Sequence, residues 1–159
     1  MNNGSFEEGI TRWRTGRALP TDPNAAEATP VDSDVRVTDD VASDGERSLA
    51  LFIDGRQAEG TLWVEQPTDL TDAETLAVDY YSEQESFNTV TKAATYAGPI
   101  PDQSLSAADF DTTRPVEDHA GWETYEYDVD HDGLGLVAVG ITVVWETEVT
   151  RYLDDVRLR

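Results

Sequence analysis

Runs in which apolar and polar residues alternate recur along most of this chain, and a period of two is the mark of strands that bury one face. Val35 to Thr38 is a short run of this kind. Ser48 to Ile53 is apolar at almost every position, as a strand buried on both faces would be. Thr61 to Gln66 comes next and is predicted to stop at Pro67, which has no N–H to offer a ladder. Leu76 to Tyr81, Val90 to Tyr96, Trp122 to Val129, the valine-rich Leu136 to Trp145 and Tyr152 to Leu158 complete the set. Turn dipeptides at Asp44-Gly45, Asp54-Gly55 and Asp132-Gly133 separate runs. Residues 14–33 are poor in apolar residues and rich in Ala, Pro, Thr and Asp, the composition of a surface loop. Helix is predicted only within Ser104 to Phe110, where Ser106 and Asp109 have the spacing of a capping box. Eight or nine short strands without helical crossovers predict an all-β antiparallel β-sandwich, a jelly roll, formed by residues 1–159 as a single domain.

The two ends carry related signals. The chain opens Asn3-Gly4-Ser5-Phe6-Glu7-Glu8-Gly9 with Trp13 beyond, and it closes Arg151-Tyr152-Leu153-Asp154-Asp155-Val156-Arg157-Leu158. An acidic pair in each terminal segment suggests that the termini meet over a cation.

Charge narrows the classes of partner. Asp and Glu number 33 against 11 Lys and Arg, a net charge of -22, with Lys92 the one lysine. Disorder does not fit, because 38% of residues are hydrophobic and they fall in strand-like runs. The acids are dispersed rather than blocked, which disfavours an acidic interaction tail. The expectation is a surface adapted to concentrated salt, where a Debye length of about 3 Å makes dense like charge cheap. Nucleic acid is not expected as a partner. Cysteine is absent, which removes disulfides and thiolate metal sites. No apolar run reaches the roughly 18 residues of a membrane span, so no membrane partner is expected. No basic stretch followed by an apolar core opens the chain, so a cytoplasmic location is expected.

The ordered motifs NGSFEEG with Trp13, DGERSLAL, QPTDLTDAETLAVDYYS, GWETYEYDV and YLDDVRL together resemble the galactose-binding-like jelly rolls, especially carbohydrate-binding modules found beside bacterial glycoside hydrolases. The resemblance spans roughly residues 3–158. It implies a structural calcium ion tying the first strand to the last, held by Glu7, Asp154 and backbone carbonyls around Arg47. Period two also places Asp154 on the same inward face as Val156 and Leu158, and an inward carboxylate needs a partner. The alternative is that Asp154 caps a turn or pairs with Arg151 or Arg12. The resemblance carries over no glycan site, because that site varies within the group.

Other chemistry is sparse. Asp128-Val129-Asp130-His131-Asp132-Gly133 matches the first half of an EF-hand loop, but Val139 stands where the bidentate Glu belongs, so a polar hairpin loop is expected. His119 and His131 have acidic neighbours but no serine in a nucleophile elbow. Lys92 is either kept for a ligand contact or paired with Asp79 or Glu83. Aromatic rings in such sandwiches can stack on sugars, although Trp13 and Trp122 occupy positions that pack structurally in the resembling family. The more polar strand faces nominate Asp79, Tyr81, Lys92, Thr142 and Glu146 as a shallow ligand groove. The expected function is therefore non-catalytic recognition of a carbohydrate. A protein-interaction or scaffold domain is the alternative, and a small lyase or hydrolase comes after that.

Overall fold

The computed structural model describes residues 1–84, 86–144 and 147–159. Trp145 and Glu146, the end of one expected strand and one expected groove residue, lie outside the described residues. The strands are β1 (Arg14–Ala18), β2 (Ser33–Thr38), β3 (Ser48–Asp54), β4 (Gly60–Asp69), β5 (Thr75–Ser82), β6 (Thr91–Pro99), β7 (Gly121–Asp128), β8 (Leu134–Val143) and β9 (Glu148–Leu158). They form an open sandwich of two antiparallel sheets in a jelly-roll-like arrangement. One sheet has the order β1-β4-β8-β6 and the other β2-β3-β9-β5-β7.

Alternating positions from both sheets fill the space between them. Leu49, Leu51 and Ile53 of β3, Val78 and Tyr80 of β5, Val137, Val139 and Ile141 of β8, and Leu153 of β9 are all buried there. The Tyr80 hydroxyl, brought into this apolar layer, donates to the Gly140 carbonyl at 2.8 Å, which meets the cost of burying it. A second, smaller cluster lies on the outer face of the four-stranded sheet. There the segment between β6 and β7 folds back and lays Leu105 and Phe110 on Trp63, Leu136 and Ala138. The expected helix in that segment is a single 3₁₀ turn, Ala107–Asp109, and the Asp109 carboxylate accepts from the Ser106 amide and hydroxyl, both at 2.7 Å.

Three local features depart from the sequence reading, each for a physical reason. β1 lies inside the stretch expected to be loop. It has little apolar content of its own and forms by pairing with β4, where Gly16 stands opposite Trp63. A Cβ on Gly16 would sit 2.2 Å from the indole, so glycine lets the ring lie across the strand. β4 runs through Pro67 to Asp69, because β1 reaches only as far as Glu65 and leaves that stretch of β4 an open edge on one side. The Asp128–Gly133 segment is no hairpin, since it passes from β7 in one sheet to β8 in the other.

The terminal segments do meet. The Val156 amide donates to the Gly4 carbonyl at 3.0 Å, and Phe6 packs on Trp13 beneath it.

Candidate functional site

β9 sets the geometry of the five-stranded sheet's outer face. Asp79 of β5 stands opposite Asp154, but Ala77, two residues earlier, stands opposite Arg157, three residues later. The extra residue makes a β-bulge, and Asp155 carries it with a left-handed φ of 44°. The bulge shifts the alternation, so Asp154 faces outward beside Asp79 while Val156 still faces the core. The expectation that Asp154 shares the face of Val156 fails for this reason.

Asp154 is fully buried all the same, because residues 39–47 lie over it. Its Oδ2 accepts from the Ser43 and Asp44 amides at 2.8 and 3.0 Å, and its Oδ1 accepts from the Asp155 amide at 2.7 Å. Burial pushes its carboxyl up to about 6 against these three hydrogen bonds, which pull it down. Glu7 does a similar job at the N-terminus: one oxygen accepts from the Glu46 and Arg47 amides, both at 2.8 Å. The Arg47 guanidinium returns a bond to the Glu7 carbonyl at 3.1 Å.

The expected calcium site is thereby corrected. Calcium takes six to eight oxygen ligands, and among the described residues no three His, Cys, Asp or Glu side chains converge to hold a metal. Glu7, Arg47 and Asp154 do join the terminal segments to the 39–47 loop, but they do so with carboxylate-to-amide hydrogen bonds.

The nominated groove residues divide between the two sides of the sandwich. Asp79 and Tyr81 face outward from β5. Lys92 and Thr142, which are cross-strand neighbours on β6 and β8, face outward from the other sheet. Asp79 is occupied: it accepts from Thr124 at 2.6 Å and from Arg157 at 3.2 Å, and it also bonds the Ser43 hydroxyl. The alternative pairing of Lys92 with Asp79 does not form. Thr142 is tied to Thr61 and to the Gly60 carbonyl.

Tyr81 has different company. Reading across the five-stranded sheet, Arg36 of β2 is opposite Ala50 of β3, Ala50 is opposite Tyr152 of β9, Tyr152 is opposite Tyr81, and Tyr81 is opposite Trp122 of β7. With strands about 4.8 Å apart, this row is about 19 Å long. Its three rings touch: Tyr81 lies 5.3 Å from Trp122 and 6.0 Å from Tyr152 between centroids. All three are part-exposed. A shallow hollow of about 160 Å³ opens between Tyr81, Tyr152, Thr150, Glu83 and Arg151. The two phenol hydroxyls and the Trp122 indole N–H take no hydrogen-bond partner among the described residues. Such rings present a flat apolar body and an unused polar handle.

Sequence reasoning found Tyr81 but set Trp122 aside as packing and left Tyr152 among the general aromatics. Alternation places Tyr81 and Trp122 outward, but unbroken period two would put Tyr152 inward with Asp154, Val156 and Leu158; the bulge at Asp155 turns it outward, and the strand order brings the three together.

Beneath this face, where the sheets come together, Arg151 and Glu117 form a buried ion pair at 2.7 Å. Glu117 also accepts from the Thr91 amide at 3.0 Å and from its hydroxyl. Burial would raise the Glu117 carboxyl, but the bonds from Thr91 and Arg151 outweigh it and hold the group below the usual carboxylate range.

No protein-family model matches the sequence, and no curated protein matches it. Solved structures are similar in fold. The enzymatically active domain of tailspike protein 4 of bacteriophage CBA120 aligns with a TM-score of 0.61 and 17% identity, over 100% of this chain and 21% of that one. The chain thus spans about a fifth of that protein's length. TmCBM61, solved with β-1,4-galactotriose, aligns with a TM-score of 0.53 and 17% identity, over 100% of this chain and 96% of that one. The CBM22-1 xylan-binding domain of Paenibacillus barcinonensis Xyn10C aligns with a TM-score of 0.53 and 13% identity, over 98% and 90%. At these identities the likeness is one of fold.

Proposed function

We propose that this protein is a non-catalytic carbohydrate-binding domain and that a neutral glycan chain lies across the row Trp122, Tyr81, Tyr152. The observation that carries the reading is the row itself: three adjoining, part-exposed rings whose polar atoms have no partner among the described residues. A pyranose offers an apolar face to stack on a ring and hydroxyls for its polar rim. Thr150 and Glu83 flank the hollow beside the rings and supply further hydrogen-bonding groups. The sandwich's likeness to modules whose names record galactotriose and xylan supports the same class of ligand. The net charge of -22 disfavours polyanionic glycans, which it repels over a Debye length.

The acidic surface is read as adaptation to concentrated salt, so the test belongs in molar KCl. A panel of neutral oligosaccharides is titrated while tryptophan fluorescence is followed, with Trp122 as the reporter at the site. Saturable binding that Tyr81→Ala weakens about tenfold or more, the scale of losing one buried ring face, supports the reading. Binding that is indifferent to Tyr81→Ala and Tyr152→Ala removes the row as the site.

A further inference from the structure

β2 is an outermost strand of the five-stranded sheet and pairs only with β3, in an unbroken register from Ser33 opposite Ile53 to Thr38 opposite Ser48. Successive residues of an antiparallel strand turn their N–H and C=O groups to opposite sides. The Asp54 amide donates to the Asp32 carbonyl at 2.9 Å, one step before that register begins, so Asp32, Asp34 and Arg36 turn theirs to β3. Across β3 the Gly55 amide donates to the Thr147 carbonyl at 3.0 Å, which is the same alternation seen from the other side. Ser33, Val35 and Val37 therefore direct both backbone groups to the open edge, where those groups take no hydrogen-bond partner among the described residues. Such an edge is a template for another strand unless Pro, Lys or a bulge guards it, and β2 has none of these.

The side chains say which strand fits. Asp34 and Arg36 stand exposed on the outer face, 3.4 Å apart within the strand. Val35 and Val37 turn the other way and pack, part-exposed, at the rim of the core. A second β2 laid antiparallel, with Val35 opposite Val35 of the other copy, pairs Ser33 with Val37 at both ends, so every open N–H and C=O meets its complement. That same register sets Asp34 opposite Arg36, twice, at the non-hydrogen-bonded positions where side chains come closest. Centring the pair on Asp34 or on Arg36 instead sets like charges against each other. The other edges lack this self-complementarity. β1 has Arg14 and Arg17 without an acid, β7 has Glu123, Glu126 and Asp128 without a cation, and the edge of β6 is taken by Asp111 and Pro115.

We propose that two copies of this chain join edge to edge through β2 in a reversible twofold dimer, merging their five-stranded sheets into one continuous sheet. A single strand pair is a small interface, and the net charge of -22 on each copy opposes it at long range, so the dimer is weak and concentrated salt promotes it. The twofold axis passes through the sheet, which puts both aromatic rows on the same outer face. Their Tyr152 positions are five strand spacings, about 24 Å, apart. The dimer itself does not depend on the glycan reading.

The test is sedimentation equilibrium of the whole chain from micromolar to near-millimolar concentration. At about 1 M KCl, where the Debye length is about 3 Å, the mass is expected to rise with concentration from one chain toward two. At about 0.1 M KCl, where it is about 10 Å, association weakens about tenfold or more. Asp34→Arg alone and Arg36→Asp alone each set like charges at both cross-strand pairs and weaken the dimer about tenfold. Both positions are exposed, so the fold is kept. An equimolar mixture of the two single variants restores association, because each then meets its complement. Val35→Pro removes the central donor at the open edge, leaves the β2–β3 hydrogen bonds in place and abolishes the dimer. A single-chain mass at every concentration in 1 M KCl overturns the proposal. So does association that the single variants or Val35→Pro leave unchanged, or a mixture no stronger than either variant by itself.

Discussion

Tyr81, Trp122 and Tyr152 come from strands that are scattered in sequence; Tyr81 and Trp122 reach the row through their strands' alternation, and Tyr152 through the bulge at Asp155. The outward direction of Tyr81 was legible from Leu76, Val78 and Tyr80 on the opposite face. Its neighbours were not, because adjacency belongs to strand order. Asp154 shows the same limit at one residue: period two assigned it inward, and a single left-handed residue at Asp155 reversed that. Two carboxyls make opposite pH predictions. Asp154, raised to about 6 in the folded protein, binds its proton more tightly folded than unfolded. It therefore adds stability as pH falls from neutrality through its folded pKa toward the ordinary aspartate range, and it costs stability above. Asp154→Asn flattens the thermal-melting profile over that window, and it lowers stability throughout because an NH2 group replaces one of the two oxygens and leaves the backbone amides on that side facing a donor. Glu117 is depressed, so its contribution is present above the ordinary glutamate range and is lost as pH falls through its folded value. Glu117→Gln replaces a carboxylate oxygen that Thr91 and Arg151 share and lowers the unfolding free energy by about 1–3 kcal/mol, measured by chemical denaturation at pH 7.

At the scale of elements, the existence and order of the strands with a strong apolar alternation were legible, but several ends were not: β9 begins at Glu148, four residues before the expected Tyr152, and β4 and β6 each run three residues beyond the expected end. The exceptions are strands made by context. β1 has a polar sequence and exists because β4 offers it a ladder and Trp63 covers Gly16. Gly16→Ala puts a methyl group into the indole, which is itself packed on Phe110 at 4.9 Å between centroids. The expected cost is about 1–3 kcal/mol, the scale of overpacking, seen as a lower denaturant midpoint with an unchanged slope. An unchanged midpoint would mean that Trp63 is free to move and that β1 is not pinned by it. The crossover between β6 and β7 matters for function in a way its sequence did not disclose. By laying Leu105 and Phe110 on the four-stranded sheet it closes part of that outer face, while the aromatic row on the other sheet stays open.

For the whole molecule, the sandwich and the meeting of the termini followed from pattern, whereas the means of joining them did not. Carboxylates at Glu7 and Asp154 suggested a cation, but the backbone amides of the 39–47 loop occupy them. Added calcium or EDTA at constant ionic strength is accordingly expected to leave the melting temperature unchanged. Salt itself is expected to matter more. A net charge of -22 on 159 residues repels itself, so the melting temperature should climb as KCl rises and the Debye length contracts to about 3 Å near 1 M. The central claim is that the aromatic row is the glycan-binding face. It is tested most directly by titrating a neutral oligosaccharide panel, xylo- and galacto-oligosaccharides included, into the wild-type chain and Tyr81→Ala in molar KCl with tryptophan fluorescence. The account predicts saturable quenching by at least one oligosaccharide, weakened about tenfold or more in the variant. No saturable change with any oligosaccharide, or equal affinity in the two proteins, would contradict it.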